Sequence, residues 1–269
     1  MGIQRLLQTG RITYNISKIE NGRLAMKTKL MGSVIFAAAV FFLLSCTGCE
    51  LLHIVDGNGN IATKSFDLKN FTAISCSGSW TVNVEQGDTF AVKVTSDENL
   101  FPFFDILVSP GILHIKVKST YNLKSTKQEV SVTLPDLGGL RVSGSAKVFM
   151  PKCNTRGMDL ALSVSGSGTI KVENLTVEKT ELKISGSGTV SVSGKAGSIK
   201  AFISGSGKMK AAGLEANDAS VDISGSGSAE VWAKKTLNAV VSGSGIIYYK
   251  GSPNLTSHIS GSGKIIQIP

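Results

Sequence analysis

The chain has 269 residues, 42% of them hydrophobic and only 6% aromatic, with 30 glycines, four cysteines and a formal charge of +9. That length allows one or two ordinary domains, and its charge is unevenly placed: the first 45 residues hold six Lys/Arg and one acid, leaving 22 basic and 18 acidic residues, a net +4, in the remainder. So modest a balance argues against the basic, aromatic-interleaved stripe of a nucleic-acid binder, and three cysteines after position 46 are too few for a disulfide-dense scaffold.

Residues 1–25 are polar, lack apolar periodicity and precede a complete signal segment, so they read as an over-extended start, with Met26 as the initiator. Residues 26–45 are that signal. Met26-Lys27-Thr28-Lys29 is a basic lead-in, and residues 31–44 form an apolar run of fourteen, too short to span a bilayer comfortably. The run ends at Leu43-Leu44-Ser45-Cys46, which resembles the bacterial lipoprotein box. The resemblance implies cleavage after Ser45, a lipid on Cys46 and a membrane partner reached through that lipid. An uncleaved anchor helix is the alternative. Cys49 is a poorer candidate, because Cys46 would stand at its −3 position, and the same box makes Cys46-x-x-Cys49 a poor redox motif. Thr47, in place of an inner-membrane retention aspartate, points to the outer membrane of a Gram-negative host.

Residues 46–57 are expected to be a tether and residues 58–269 a single β-helix domain, irregular to about 140 and regular thereafter. Asp56-Gly57-Asn58-Gly59-Asn60 resembles a calcium loop in its oxygen spacing, with Asp67 at the twelfth place. Ile61 stands where the sixth-position glycine is required, so the stretch reads as a turn. Alternating segments follow, around a degenerate motif copy at Ser77-Gly78-Ser79-Trp80. Cys76 falls in an inward position, as a small buried hydrophobe, and a bridge to Cys153 is left open. Asp97-Glu98-Asn99-Leu100 opens a loop, and the Phe101-Pro102-Phe103-Phe104 cluster within it reads as a cap sealing an early coil rather than a ligand patch. Residues 121–128 read as a polar surface loop, and Ser143-Gly144-Ser145-Ala146 is a second degenerate copy.

From there Ser-Gly-Ser-Gly recurs six times, beginning at Ser165, Ser185, Ser204, Ser224, Ser242 and Ser260, at spacings of 20, 19, 20, 18 and 18. A period near 20 marks a stacked repeat. Val164, Ile184, Ile203, Ile223, Val241 and Ile259 precede the motif, and Ile170, Val190, Met209, Ala229, Ile247 and Ile265 stand second after it. Lys183, Asp222, Lys171, Lys210 and Glu230 fall between the apolar positions. Such period-two alternation on both sides makes each motif a corner between two half-buried strands, whereas a flexible linker has no reason to keep phase. The fold expected is an all-β parallel β-helix. Eight or more coils at about 4.8 Å each would give a rod on the order of 40 Å long. The corner glycines, Gly166, Gly168, Gly186, Gly188, Gly205, Gly207, Gly225, Gly227, Gly243, Gly245, Gly261 and Gly263, are expected to take positive φ or to make close approaches between coils. The serines are expected to hydrogen-bond from coil to coil.

Activity is less legible. A polysaccharide-cleaving β-helix needs carboxylates clustered on neighbouring coils. Glu173, Glu230, Asp159, Glu181 and Asp222 lie at different phases, and Asp218 shares the phase of Asp159 only across intervening Lys179 and Ser198. His53, His114 and His258 are scattered, and no serine is marked as activated. No catalytic, metal or cofactor site is expected. Ile265, Ile266 and Ile268 form a last strand without a polar cap, an edge open to pairing with another copy.

The ordered set Phe71-Thr72-Ala73-Ile74, Val84-Glu85-Gln86-Gly87, Asp97-Glu98-Asn99-Leu100 and Gly111-Ile112-Leu113-His114-Ile115, followed by the Gly-Ser-Gly repeats, resembles the auto-transporter adhesin head GIN domain family of bacterial lipoproteins. The resemblance runs from about Ile61 onward and implies a right-handed β-helix on tight Gly-Ser-Gly turns, a role in cell adhesion and no catalytic residues. The expectation is a lipid-anchored envelope module binding a glycan or protein, with a carbohydrate-active enzyme or a periplasm-facing scaffold as alternatives.

Overall fold

A computed structural model describes residues 53–269. The signal segment, Cys46 and Cys49 lie outside the described residues. The chain forms an all-β solenoid of about 6 turns, with stacked parallel coils of about 20 residues.

Each coil runs up one sheet, turns the Ser-Gly-Ser-Gly corner and runs down a second. The upstream sheet stacks Ala73–Gly78, Gly139–Gly144 and Leu160–Gly166 in register, then the later parts of Thr169–Gly186, Thr189–Gly205, Lys208–Gly225 and Ser228–Gly243, and finally Asn254–Gly261. The corner glycines stand one above another, Gly78 on Gly144, Gly166, Gly186 and onward. The downstream sheet begins at Gln128–Leu134 and Thr81–Gln86 and ends at Ile246–Lys250 and Lys264–Gln267. A short third side starts at Cys153–Asn154, paired with Leu175 and Thr176. The register shifts all fall there, at Val172/Leu175, Ser191/Ser193, Ala211/Glu215 and Ala216/Asp218. The unequal spacing of the motifs is therefore absorbed opposite the corner, which stays in phase.

Between the sheets the inward residues stack in rows. Leu140, Leu162, Leu182, Ala201, Val221 and Ala239 form one row, and Val142, Val164, Ile184, Ile203, Ile223 and Val241 the next, all buried. Cys76 lies in register with Val142 and Cys153 with Leu175. Both cysteines are buried and free. Burial pushes the Cys76 thiol up to about 12 and the Cys153 thiol up to about 11, so both stay protonated at neutral pH.

The first glycine of each motif has φ between +106 and +123°, values that disfavour any side chain. A Cβ there would lie 2.5–2.9 Å from the carbonyl oxygen of the glycine one coil earlier. The second glycine is excluded from substitution by space: a Cβ at Gly168, Gly188, Gly207, Gly227, Gly245 or Gly263 would lie 2.3–2.6 Å from a Val or Ile methyl and 2.7–3.1 Å from a carbonyl of the preceding coil. The bonds between corners are main-chain bonds: Ser206 N–H donates to Gly186 O and Lys208 N–H to Gly188 O, each at 2.9 Å, and the pattern repeats along the stack. Among the described residues the ladder thus runs through the backbone, and not through the serine hydroxyls as expected, because the glycines bring the chains close enough for it.

The part before residue 139 departs from the expected run of coils. Ala91–Asp97 pairs antiparallel with Gln128–Leu134, Ile61–Phe66 pairs antiparallel with Ala91–Asp97, and Phe104–Val108 pairs antiparallel with Ile112–Val117. These strands form a cap over the first end of the stack. The expected loop at 97–104 is a 3-10 helix, Glu98–Phe103, whose Leu100 and Phe101 are buried. Trp80 packs edge-on against Phe104 at 4.8 Å between ring centroids, and Phe101 against Phe104 at 5.7 Å, so the phenylalanine cluster seals the core. His53–Asp56 pairs in parallel with Tyr121–Lys124. Strand therefore replaces the end of the expected tether and part of the expected 121–128 loop, since each supplies the other's hydrogen-bond partners.

Asp97, fully buried, fastens the cap. Its carboxylate accepts from Gly59 N–H at 2.8 Å, from Thr126 N–H at 2.8 Å and from the Thr126 hydroxyl at 3.0 Å. Asn99 Oδ1 accepts from Asn58 N–H, and Asn99 Nδ2 donates to Asp56 O. The calcium-like stretch is thus a turn clasped by side chains, and a Cβ on Gly57 would overlap the Asp97 carboxylate at 2.4 Å. Desolvation alone would push this carboxyl up, but the hydrogen bonds from Gly59, Thr126 and Lys127 outweigh it and hold it below its ordinary value of 3.8.

Two predictions follow from this architecture. Gly225→Ala adds a side chain at φ +123° and 2.6 Å from Gly205 O, and should cost about 3 kcal/mol or more in urea unfolding. Gly157→Ala, at φ +92° with open space around it, should cost only about 1–2 kcal/mol, so equal losses would contradict the corner account. Because the Asp97 pKa is lower in the folded state, its stabilisation is present above the unfolded value and is lost as pH falls through the folded one. Asp97→Asn should therefore lower stability at pH 7 and flatten the acid limb of a stability–pH curve, as read by thermal melts from pH 2 to 7.

Candidate functional site

The sequence-derived positions separate into two groups. The twelve corner glycines form one continuous seam along the stack and act on architecture, as above. Cys46, the expected lipid attachment residue, lies outside the described residues. Among the described residues no three His, Cys, Asp or Glu side chains stand close enough to hold a metal ion. His114 Nε2 lies 3.1 Å from Ser109 O, and the His53 ring lies tilted against Tyr121 at 5.9 Å between centroids, so both have local partners.

What remains is the outward face of the upstream sheet on the later coils. Inward positions there are filled by the core rows, so alternate side chains must point to solvent. Row by row these are Ser198, Lys200 and Phe202, then Asp218, Ser220 and Asp222, then Thr236 and Asn238, then Asn254 and Thr256. Two shallow depressions lie on this face. One, of about 440 Å³, is lined by Ser198, Lys200, Asp218, Thr236, Asn238 and Asn254 among others. The other, of about 380 Å³, is lined by Lys183, Phe202 and Asp222 together with the corner serines Ser165, Ser185 and Ser204. The Thr236 hydroxyl donates to Asp218 Oδ1 at 2.6 Å, fixing that carboxylate on the rim of the first depression. Lys183 and Lys200 place their Nζ atoms 5.8 and 5.1 Å from the Phe202 ring centroid, a cation–π arrangement that holds the half-buried ring in place. Lys183 also pairs with Glu181 at 2.9 Å.

This face offers hydroxyls, amides, one carboxylate held by a hydroxyl and one aromatic ring, all on rigid strands. The chemistry is that of hydrogen-bonded and stacking recognition. Asp218 and Asp222 are four residues apart on one strand and do not face one another across coils, so the face holds no paired carboxylates of the kind glycoside cleavage uses.

A cleft of about 510 Å³ elsewhere is lined by Gln86, Asp88, Pro151, Lys152, Asn154 and Arg156. Gln86 ties its walls together: Gln86 Nε2 donates to Pro135 O and Asn154 O, and Gln86 Oε1 accepts from Asn154 N–H. The cleft is a seam between the cap and the first regular coil.

Reasoning from the motif missed Phe202 and the Asp218–Thr236 pair. The signal lies in the outward positions taken as columns, where Asp218 is followed one coil later by Thr236, whereas the shared acid phase aligns Asp218 with Asp159.

Comparison with known proteins agrees with the fold. A solved protein from Parabacteroides distasonis ATCC 8503, described as a putative lipid binding protein, is 28% identical over 80% of this chain and 100% of its own, with a TM-score of 0.69. A putative adhesin from Parabacteroides merdae ATCC 43184 is 27% identical over 81% of this chain and 100% of its own, with a TM-score of 0.63. A putative adhesin from Bacteroides fragilis NCTC 9343, 23% identical over 80% of this chain and 100% of its own with a TM-score of 0.74, shares the fold. No functionally curated protein matches the chain. The family model described as "Putative auto-transporter adhesin, head GIN domain" matches residues 70–253, and the chain belongs to that family.

Proposed function

We propose that the protein is a lipid-anchored, non-enzymatic binding module of the cell envelope that holds a glycan or protein ligand on the outward upstream face of its later coils. The observation that carries this reading is the pair of neighbouring open depressions around Phe202 and Asp218, lined by hydroxyl, amide and charged side chains together with apolar ones, on a rigid sheet. The adhesin-like family name belongs to cell-envelope or surface proteins and supports the address. The non-enzymatic reading is supported by a family name without a catalytic term and by carboxylates that do not converge. Lipid attachment rests on the Leu43-Leu44-Ser45-Cys46 box, and outer-membrane placement on Thr47 and a Gram-negative host. A lipid ligand, suggested by the name of the Parabacteroides distasonis relative, finds less support, because the solenoid interior is filled by rows of buried side chains and the depressions on its face are open to solvent and do not enclose an acyl chain.

Phe202→Ala combined with Asp218→Ala should reduce binding on a glycan array, or to intact cells, by at least about tenfold while leaving the far-ultraviolet circular dichroism unchanged. Loss of two such contacts, each worth about 1 kcal/mol, suffices for that. Turnover of any polysaccharide, or binding indifferent to the double substitution, would overturn the reading. For the anchor, Cys46→Ser should abolish metabolic labelling with a fatty-acid analogue and move the protein from the membrane to the soluble fraction. Protease treatment of intact cells should cleave the wild type if the module faces outward.

A further inference from the structure

The two ends of the solenoid differ. At the first end the core is covered: Trp80, Leu100, Phe101 and Phe104 are buried beneath the antiparallel cap. At the other end, among the described residues, the core rows run out uncovered. Leu255 lies in register with Leu237 and Ile259 with Val241, yet Leu255 is 41% and Ile259 43% exposed while Leu237 and Val241 are 1% and 0% exposed. One further layer of strand is all that separates these environments. The whole of Asn254–Gly261 is exposed, and among the described residues it pairs only with Ser228–Gly243, leaving its outer row of backbone N–H and C=O groups without a strand.

Edges of this kind are normally blocked by charge, by an inward-pointing lysine or by a bulge. Here residues 254–267 contain only His258 and Lys264 as ionisable groups. Both lie in outward rows, His258 in register with Val240 and Lys264 with Ile246. The end plane thus presents neutral backbone and apolar side chains, and two copies can meet there without opposing like charges. A head-to-tail stack is disfavoured, because the opposite end offers a covered core and no matching apolar row. The occupant that fits is a second copy through the same edge, which closes at two.

We infer that the protein forms an isologous dimer by antiparallel pairing of Asn254–Gly261 with the same strand of its partner. The pleat fixes the register. Residues directly opposite one another point to the same face, so the inward set Leu255, Ser257 and Ile259 must meet the partner's inward set. The register that joins the apolar residues places Ser257 on the two-fold axis and Leu255 opposite the partner's Ile259, with Thr256 opposite the partner's His258. The two cores become continuous across the junction, with Ser257 the one polar inward side chain at its centre.

The test uses the chain with Cys46→Ser and Cys49→Ser, so that the two native thiols left are the buried Cys76 and Cys153. Light scattering coupled to gel filtration should give a mass of two chains at about 100 µM, within the range of a weak specific complex. Ser257→Cys should crosslink under mild oxidation, because opposed Cα atoms in such a pair lie about 4.5–5.5 Å apart, within disulfide reach. Asn122→Cys on the cap should not. Ile259→Lys should return a one-chain mass with unchanged circular dichroism. A one-chain mass for the parent protein, an open-ended series of larger species, or a dimer that survives Ile259→Lys without Ser257→Cys crosslinking would overturn the proposal.

Discussion

The rest of the structure depends on the way one corner sits on the next. Both glycine carbonyls of a corner accept main-chain hydrogen bonds from the following coil, as Gly205 O does from Ser226 N–H at 2.9 Å and Gly207 O from Ser228 N–H at 3.0 Å. Backbones that approach so closely leave no room for a Cβ at either position. The first glycine is required by backbone angle as well, the second by space alone. Because the corner cannot slip, the strands on either side of it are locked in register, and with them the rows of inward side chains. A one-residue slip would turn every buried side chain outward.

Fixing the corner moves all length variation elsewhere. Motif spacings of 18 to 20 residues would misalign a coil constrained throughout. The register shifts gather instead on the third side, where Gly194 takes φ +131° and Gly197 packs against Glu178. The solenoid is therefore stiff along its corner seam and permissive opposite to it. Its ends pose a separate problem, since a stack of open coils exposes its core wherever it stops. The first end solves this with antiparallel strands, three aromatic side chains and the Asp97 clasp. None of these elements repeats.

That contrast explains how far the sequence could be read. The regular coils were legible because one local pattern, β-branched residue, Ser-Gly-Ser-Gly, then an apolar residue two places on, states both the corner and its flanks. The cap was not, because residues 91–97 alternate in the same way whether they pair parallel or antiparallel; alternation reports a half-buried face and says nothing of strand direction. Pairing of His53–Asp56 with Tyr121–Lys124 joins residues nearly seventy positions apart in chain, and neither stretch carries a local mark of the other. The 3-10 helix at Glu98–Phe103 is too short to show a helical period. The Asp97 clasp was half visible: the Asp56–Asn60 stretch was recognisable as a turn, while its acceptor sits 38 residues from Gly59.

The candidate site was illegible for a related reason, which also bears on what such a fold is suited to do. In the upstream sheet the corner serine column is constant from Ser165 to Ser260, whereas the column at Glu181, Lys200, Ser220, Asn238 and Thr256 changes chemistry at every coil while its backbone geometry does not. The architecture places no demand on that column beyond pointing outward, so a search for repetition passes over it. Yet this is where a rigid lattice at about 4.8 Å per step can display an acid, a base, hydroxyls and amides at fixed separations with little conformational entropy lost on binding. A surface made in this way suits an extended ligand that runs across several coils, each contributing one or two contacts. The Thr236–Asp218 bond and the lysines about Phe202 already hold their groups in place across neighbouring coils, so recognition at the proposed site would be a property of the stack and not of any single repeat.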